Sequence, residues 1–497
     1  NEFPYQIEYS YVVSEEEYLY IAWWTPIIFE NTSTIHSSLE IDIPSNLEIQ
    51  MDQTGKAAMI SDTSKENRKI LKWQSAGKLD FEHEIFSPTI RERIPKVVVV
   101  PSNFKYGTEG SFRSWNSFGS WIHELNLGQD ELTPKEKSIV EKLVDGIEDP
   151  KEITRKIYHY LQDHTKYVNV AIDIGGLKTY PASYVCRNKY GDCKALTTYM
   201  KAMLKSVEID SYYTVINAGE DGSRIKTDFP SQQFNHVVLA VPFEKDTIWL
   251  ENTSNINPFG YLGTFTQNRY ALAVNGEKSE LVRTPKLIPE KVLSQRNYEY
   301  FIENEDSWKT NIEFELRGKD FEDFRYYIRN RDEEDQRSAL LNQGNIQKFK
   351  ILNWNVLNDQ RDQTSVKVKA NGYTPGGMRN IGKYKVINPL KIALPDFEDP
   401  KQRKLDVRIN CPVNRLDNIV YNLKAPDSLR IQFPEDIEIN SKYGNYSAAY
   451  SKEDNAIKVT ERFLLKSNDI PISNYSEFYL FIESIENYKK QAAILLL

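Results

Sequence analysis

The chain has 497 residues, room for about three domains. Hydrophobic residues make up 40% and charged residues 27%, the balance of a folded globular protein. A net charge of −8 with no basic run argues against a nucleic-acid surface, which needs concentrated Lys and Arg. No stretch approaches the roughly 20 apolar residues of a spanning helix, the terminal AILLL included.

Three cysteines, Cys186, Cys193 and Cys411, are too few for a disulfide framework. The chain starts at Asn1 without Met, so a processed or trimmed chain is expected, with any export signal already gone. Thirty tyrosines suit β-rich domains.

Residues 1–112 read as an antiparallel β domain. YSYVVSEEEYLYIAWWTPIIF, SSLEIDIPSNLEIQM, ILKWQSAG and KVVVVPSNF are short β-branched and aromatic runs with alternation. The texture changes at SFRSWNSFGSW, and helical patterns follow. Thr133 and Asp149 each precede a Pro, the pattern of a helix N-cap and first helical residue. Ile153, Ile157 and Leu161 then fall on one helical face.

KYGDCKALTTYM opens another helix, with Asp192 as a plausible N-cap and Leu196, Tyr199, Met200 and Met203 on one face. SYYTVIN, FNHVVLAV and DTIWLENTS read as strands. Residues 113–285 thus form an α+β domain. Residues 286–497 return to β texture, as one large sandwich or two small domains split near 400. One amphipathic helical interruption is expected, EDFRYYIRNRDEEDQRSALLNQ.

Cys193 is the candidate nucleophile. A thiolate attacks where a thiol does not, and a helix N-terminus stabilises the thiolate through free N–H groups and the positive dipole end. A small buried Cys is the plain alternative. A base is needed, normally His. Of six histidines, His36 and His83 lie in the β-like N-terminal part, and His123, His159 and His164 lie on helical stretches. Only His236 sits in an alternating strand downstream of the helix, sharing a face with Val238 and Ala240. That strand returns as TIWLENTS. A turn centred between Phe243 and Glu244 sets Glu251 opposite His236. A half-residue shift sets Asn252 there, and the sequence leaves this register open. Either side chain could orient the imidazole.

YGDCKALTTYMKAML, FNHVVLAV and WLENTS together resemble the transglutaminase-like (papain-related) thiol fold, with its Cys, His and acid in that chain order. SWNSFGSWIHEL, ITRKIYHYLQDHTKYV and GGLKTYPASYVCRNKYGDCK fit as well. The whole chain is similar to exported proteins of Bacteroides-type bacteria with a β domain, a transglutaminase-like core and a β-rich C-terminal part. The resemblance implies a multidomain protein: a central α+β thiol fold flanked by antiparallel β-sandwich domains. It implies Cys193 as nucleophile, His236 as base and Glu251 where the family usually has Asp, with Asn252 as the alternative third member. It also has Ala195 where the family tends to carry an acid.

The Cys193 N–H is a natural oxyanion donor, and Tyr167 and Tyr180 are candidates for a second donor or for the cleft. No metal or phosphate-loop motif occurs, and no cofactor is implied. The expected activity is acyl transfer at amides by a cysteine peptidase or amidase. An amine-accepting cross-linking enzyme is one alternative, and a non-catalytic protein- or glycan-binding module is another. The expected partners are a peptide or protein amide, with cell-wall peptide or glycan as further candidates. The expected location is the periplasm or cell envelope.

Overall fold

A computed structural model gives the fold. It describes residues 6–27, 33–55, 58–76, 84–169, 176–219, 224–302, 306–346, 348–424 and 430–497. His83 lies outside them.

Two three-stranded antiparallel sheets build the N-terminal region. One has the order Ala22–Trp24, Lys96–Pro101, Ile49–Thr54; the other has His36–Pro44, Arg68–Ala76, Ala58–Lys65. The run VVVV from Val97 to Val100 is apolar throughout because both its faces are buried. Val97 and Val99 meet Ile41, Ile43, Leu71 and Trp73, whereas Val98 and Val100 join Phe118 and Trp121 of the next region. Among the described residues, the aromatic run expected as strands around residues 9–29 supplies Ala22–Trp24 alone. Tyr9, Tyr11 and Val12 lie outside any strand and are exposed, so no core fixes them.

The central region is helices followed by a sheet. Thr133, Asp149 and Asp192 cap the helices Pro134–Val144, Pro150–His164 and Cys193–Lys205, each side chain accepting a first-turn N–H. An antiparallel five-stranded sheet follows, in the order Asp246–Leu250, His236–Phe243, Tyr212–Ile216, Tyr270–Val274, Glu280–Arg283. Helix Cys193–Lys205 buries Leu196, Tyr199, Met200 and Met203 against Leu239, Val241 and Leu250 of this sheet and Ile157 and Leu161 of the neighbouring helix. Removing this apolar surface from water is the main force seating the helix on the strands.

The hairpin register differs from both expected settings. Phe243 pairs with Asp246 and Leu239 with Leu250. Continued pairing would set Thr253 opposite His236, but the ladder stops at Leu239 and Leu250.

The C-terminal region holds an eight-stranded sheet with strands from both sides of residue 400. Its members run from Leu293–Ile302 and Ser307–Arg317 to Val413–Leu423 and Ala456–Leu465. The sheet is therefore continuous across the expected split. It is not wholly antiparallel either, because Leu293–Ile302 and Val413–Leu423 pair in parallel. The amphipathic interruption forms two helices, Gly318–Asn330 and Glu333–Gly344. A further helix, Tyr475–Gln491, covers this β texture with Phe478, Phe481, Ile482 and Ile485.

Candidate active site

The turn before Cys193 is tight for a packing reason. A Cβ on Gly191 would stand 2.9 Å from the Ala195 Cβ and 3.2 Å from Val185 Cγ2. Ala195 is itself fully buried, so no acidic side chain fits there without rebuilding the turn. Asp192 Oδ1 accepts the Ala195 N–H at 2.9 Å, and Lys194 pairs with the other carboxylate oxygen. Cys193 is thus the first helical residue, and its own N–H has no carbonyl one turn back to bond.

His236 opens its strand. Its Nε2 lies 2.8 Å from Glu251 Oε2, and the two side chains are only 9% and 5% exposed. Cys193 lines the same cleft as the imidazole and adds to the influences that favour its protonated form. Nε2 is committed to Glu251, so Nδ1 is the nitrogen left for the sulfur. Burial acts to lower the His236 pKa, but the Glu251 charge, with the influence of Cys193 and the bond to Glu251, outweighs it and pushes the value up to about 10. The ring stacks edge-on against Phe265 at 5.6 Å.

Glu251 is held on every side. Oε1 accepts from the Thr253 N–H at 3.0 Å and from Thr253 Oγ1 at 2.6 Å. The Tyr158 hydroxyl donates to the Glu251 carbonyl at 2.9 Å. Burial works to raise the Glu251 carboxyl, yet His236 and Thr253 together hold it below the usual carboxylate value. The following turn is fixed from the same helix, since Gln162 Nε2 donates to the carbonyls of Ser254 and Asn257, each at 2.9 Å.

Asn252 is placed elsewhere. Its Nδ2 donates to Thr197 Oγ1 at 3.0 Å, tying the returning chain to the nucleophile's helix. Tyr167 lies beside Gly191 in a short parallel pairing, and burial, then the neighbouring Cys193, Asp192 and Glu251, raise its phenol. Tyr180 instead stacks on Tyr184 with ring centroids 4.7 Å apart. All three cysteines are free, and burial is the first cause raising the Cys186 thiol.

A cleft of about 90 Å³ brings Cys193 and His236 together. Trp121, Leu125, Leu177, Val215 and Phe234 make its walls apolar, and Gln232 and Asn235 add amides. Tyr213 also lines it, and burial followed by Cys193 and Asp192 raises its phenol well above the usual value. Sequence reasoning missed Tyr213. The alternation of SYYTVIN sets Tyr213 and Val215 on one face, but only the fold turns that face to the cleft. Among the described residues no cluster of His, Cys, Asp or Glu is arranged to hold a metal.

Residues 137–251 match the model of the transglutaminase-like superfamily, a span that ends on Glu251 and includes Cys193 and His236. Residues 384–495 match DUF3858, a domain of unknown function with a solved structure. The fold is similar to the crystal structure of a "putative protease" from Parabacteroides distasonis. The TM-score is 0.57 at 12% identity, covering 94% of this chain and 74% of that one. At that identity the likeness is one of fold. A "putative cysteine protease" from Cytophaga hutchinsonii matches at TM-score 0.22 and 12% identity, over 46% of this chain and 70% of that one, and carries no argument. No curated protein matches the chain.

Proposed function

We propose that this chain carries out thiol-dependent acyl transfer at amide bonds, as a cysteine peptidase or amidase. The observation that carries the reading is a single imidazole that lines one cleft with Cys193 and bonds the Glu251 carboxylate. The superfamily match over residues 137–251 supports the same chemistry.

In this reading the Cys193 proton passes to His236 Nδ1 before attack, in keeping with a ring that holds its proton up to about pH 10, and Sγ then attacks the amide carbonyl. Glu251 keeps the imidazole oriented and stabilises its cationic form. The oxyanion develops at the helix N-terminus, where the Cys193 N–H donates, with Tyr167 as the neighbouring candidate donor. The C–N bond breaks as His236 returns the proton to the leaving amine, and an acyl-thioester remains. Water then adds, His236 takes its proton, the C–S bond breaks and the acid is released. An amine in place of water would give a new amide, which is cross-linking. Water needs no binding site of its own, and this favours hydrolysis.

The substrate class is a peptide or protein amide, with cell-wall peptide as one source, and the proposed location is the periplasm or cell envelope. Among the described residues no helix is long and apolar enough to cross a membrane. Residues 113–285 would form the catalytic unit, framed by 1–112 and 286–497. Incubation with a mixed peptide pool and intact-mass spectrometry test the reading. An acyl adduct on Cys193 with peptide turnover, both lost in Cys193→Ala, is expected. Turnover undiminished in Cys193→Ala would overturn it.

A further inference from the structure

A second cavity, of about 230 Å³, lies where the three regions of the chain meet. Its lining includes Lys96 from the N-terminal sheets, Arg224 and Lys226 from the segment before His236, and Arg408 from the C-terminal region. The carboxylates in the lining are Asp52 and Glu92, so cations outnumber them four to two. Val98, Ile225 and Phe229 give it an apolar floor, and Trp23, 55% exposed, stands at its rim. In a chain of net charge −8, a cavity with excess positive charge is a local reversal.

The pairing around the cavity leaves one cation over. Lys226 pairs with Asp52 and donates to Thr54 Oγ1. Arg408 pairs with Glu92. Arg224 makes a two-pronged pair with Asp469, just outside the lining, at 2.7 and 3.0 Å. Lys96 is different: its Nζ donates to the Arg91 carbonyl at 3.1 Å and, among the described residues, makes no ion pair. Arg408 Nε is buried without a hydrogen-bond partner and makes only a long ion pair, 3.6 Å to Asp469 Oδ1. Half-burying an unpaired ammonium is costly unless an opposite charge arrives. Burial, the largest influence on it, holds the Lys96 amine below its usual value, even against the pull of the nearby Asp52 and Glu92 charges, which Lys226 and Arg91 oppose.

We infer that this cavity is a binding site for a small oxyanion, such as phosphate, sulfate or a carboxylate, with the Lys96 ammonium as its anchor. Lys226 and Arg408 would share the charge, since both already bridge regions of the chain through carboxylates. The inference stands independently of the chemistry proposed for Cys193. The two cavities nevertheless share a wall. Ser231 and Gln233 line the cationic one, while Gln232, Phe234 and His236 line the cleft at Cys193. Over residues 231–234 the segment alternates between the two cavities, and from Asn235 to Val237 it lines the cleft alone.

The test uses the full chain and sodium phosphate as the probe, with sodium chloride at matched ionic strength as control. Calorimetry and thermal melts should show saturable binding and a phosphate-specific rise in melting temperature. Lys96→Gln should weaken that binding by roughly tenfold, the loss of about one charge-assisted bond. Should Lys96→Gln melt early without phosphate, Trp23→Glu serves instead. It places a carboxylate at the exposed rim and should weaken binding by repulsion alone. A melting shift equal in phosphate and chloride, or phosphate binding unaltered by both substitutions, would overturn the assignment.

Discussion

His236 Nε2 and Glu251 Oε2 are 2.8 Å apart, although their strands stop pairing at Leu239 and Leu250. The turn centre lies one residue past the setting that would face Glu251 and half a residue past the one that would face Asn252. The chain leaves the ladder after Leu250, and the extra methylene of Glu over Asp lets the carboxylate bridge the gap. Thr253, which the register carries toward His236, becomes the residue that grips the far oxygen of Glu251. The longer acid and the shifted hairpin thus account for each other.

Removing the Glu251 charge should therefore cost catalysis, while removing the Asn252 amide should cost packing. Glu251→Gln is expected to lower the acyl-transfer rate by about a hundredfold or more, within the usual range for disabling a general acid–base pair. Asn252→Ala should leave the rate within a few-fold and lower the melting temperature, because it frees Thr197 and the returning chain. Steady-state kinetics beside thermal melts of both variants separate the two roles.

The pair should also stabilise the fold over a defined pH window. The His236 pKa rises from 6.5 to about 10 on folding, so its contribution is complete below 6.5 and is lost as pH climbs through about 10. The Glu251 pKa is lowered from 4.5, so its contribution is present above 4.5 and is lost as pH falls further. The stability difference between wild type and His236→Gln, from urea unfolding, should be largest between these ordinary values. It should shrink steadily toward pH 10.

Thr253→Val keeps the volume near Glu251 and the backbone donor but removes the 2.6 Å hydroxyl bond. A hydrogen bond to a charged group contributes roughly 1.5–3 kcal/mol. Unfolding free energy should drop by about that much, and the rate should fall less than for Glu251→Gln. A Thr253→Ser variant, which restores the hydroxyl, should recover most of both.

Gly191→Ala drives a methyl into Ala195 and Val185. Overpacking of this kind costs roughly 1–3 kcal/mol. The strain falls on the turn that places Cys193, so its alkylation rate should change along with stability. Gly128→Ala meets no neighbouring atom but sits at a φ of +74°, so it should lower stability by backbone strain while leaving Cys193 alkylation unchanged.

The helix caps, the buried face of Cys193–Lys205 and the His236 strand were legible because each is a local pattern. Capping needs only a side chain and the next three N–H groups, and amphipathic faces repeat with the helical period. The hairpin register was not legible, since PFEKD allows several turn centres and nothing in the strands forbids a slip. The mixed sheet was hidden for a related reason. Leu293–Ile302 and Val413–Leu423 pair in parallel across more than a hundred residues, and no local signal reports such a partner. Helix Tyr475–Gln491 was readable but overlooked: Tyr475, Phe478, Phe481, Ile482 and Ile485 keep helical spacing beneath aromatic residues that suggest strands. Tyr213 waited on the fold, because its place at the cleft depends on which strand neighbours His236.

The most direct measurement is the rate of iodoacetamide labelling at Cys193, read by peptide mass spectrometry at pH 6, in the intact chain and in His236→Ala. If the imidazole and the sulfur work as a pair, labelling in wild type should be fast and should drop at least about tenfold without His236, with Glu251→Gln in between. Equal rates in all three proteins would contradict the pairing and leave the cleft without the chemistry assigned to it.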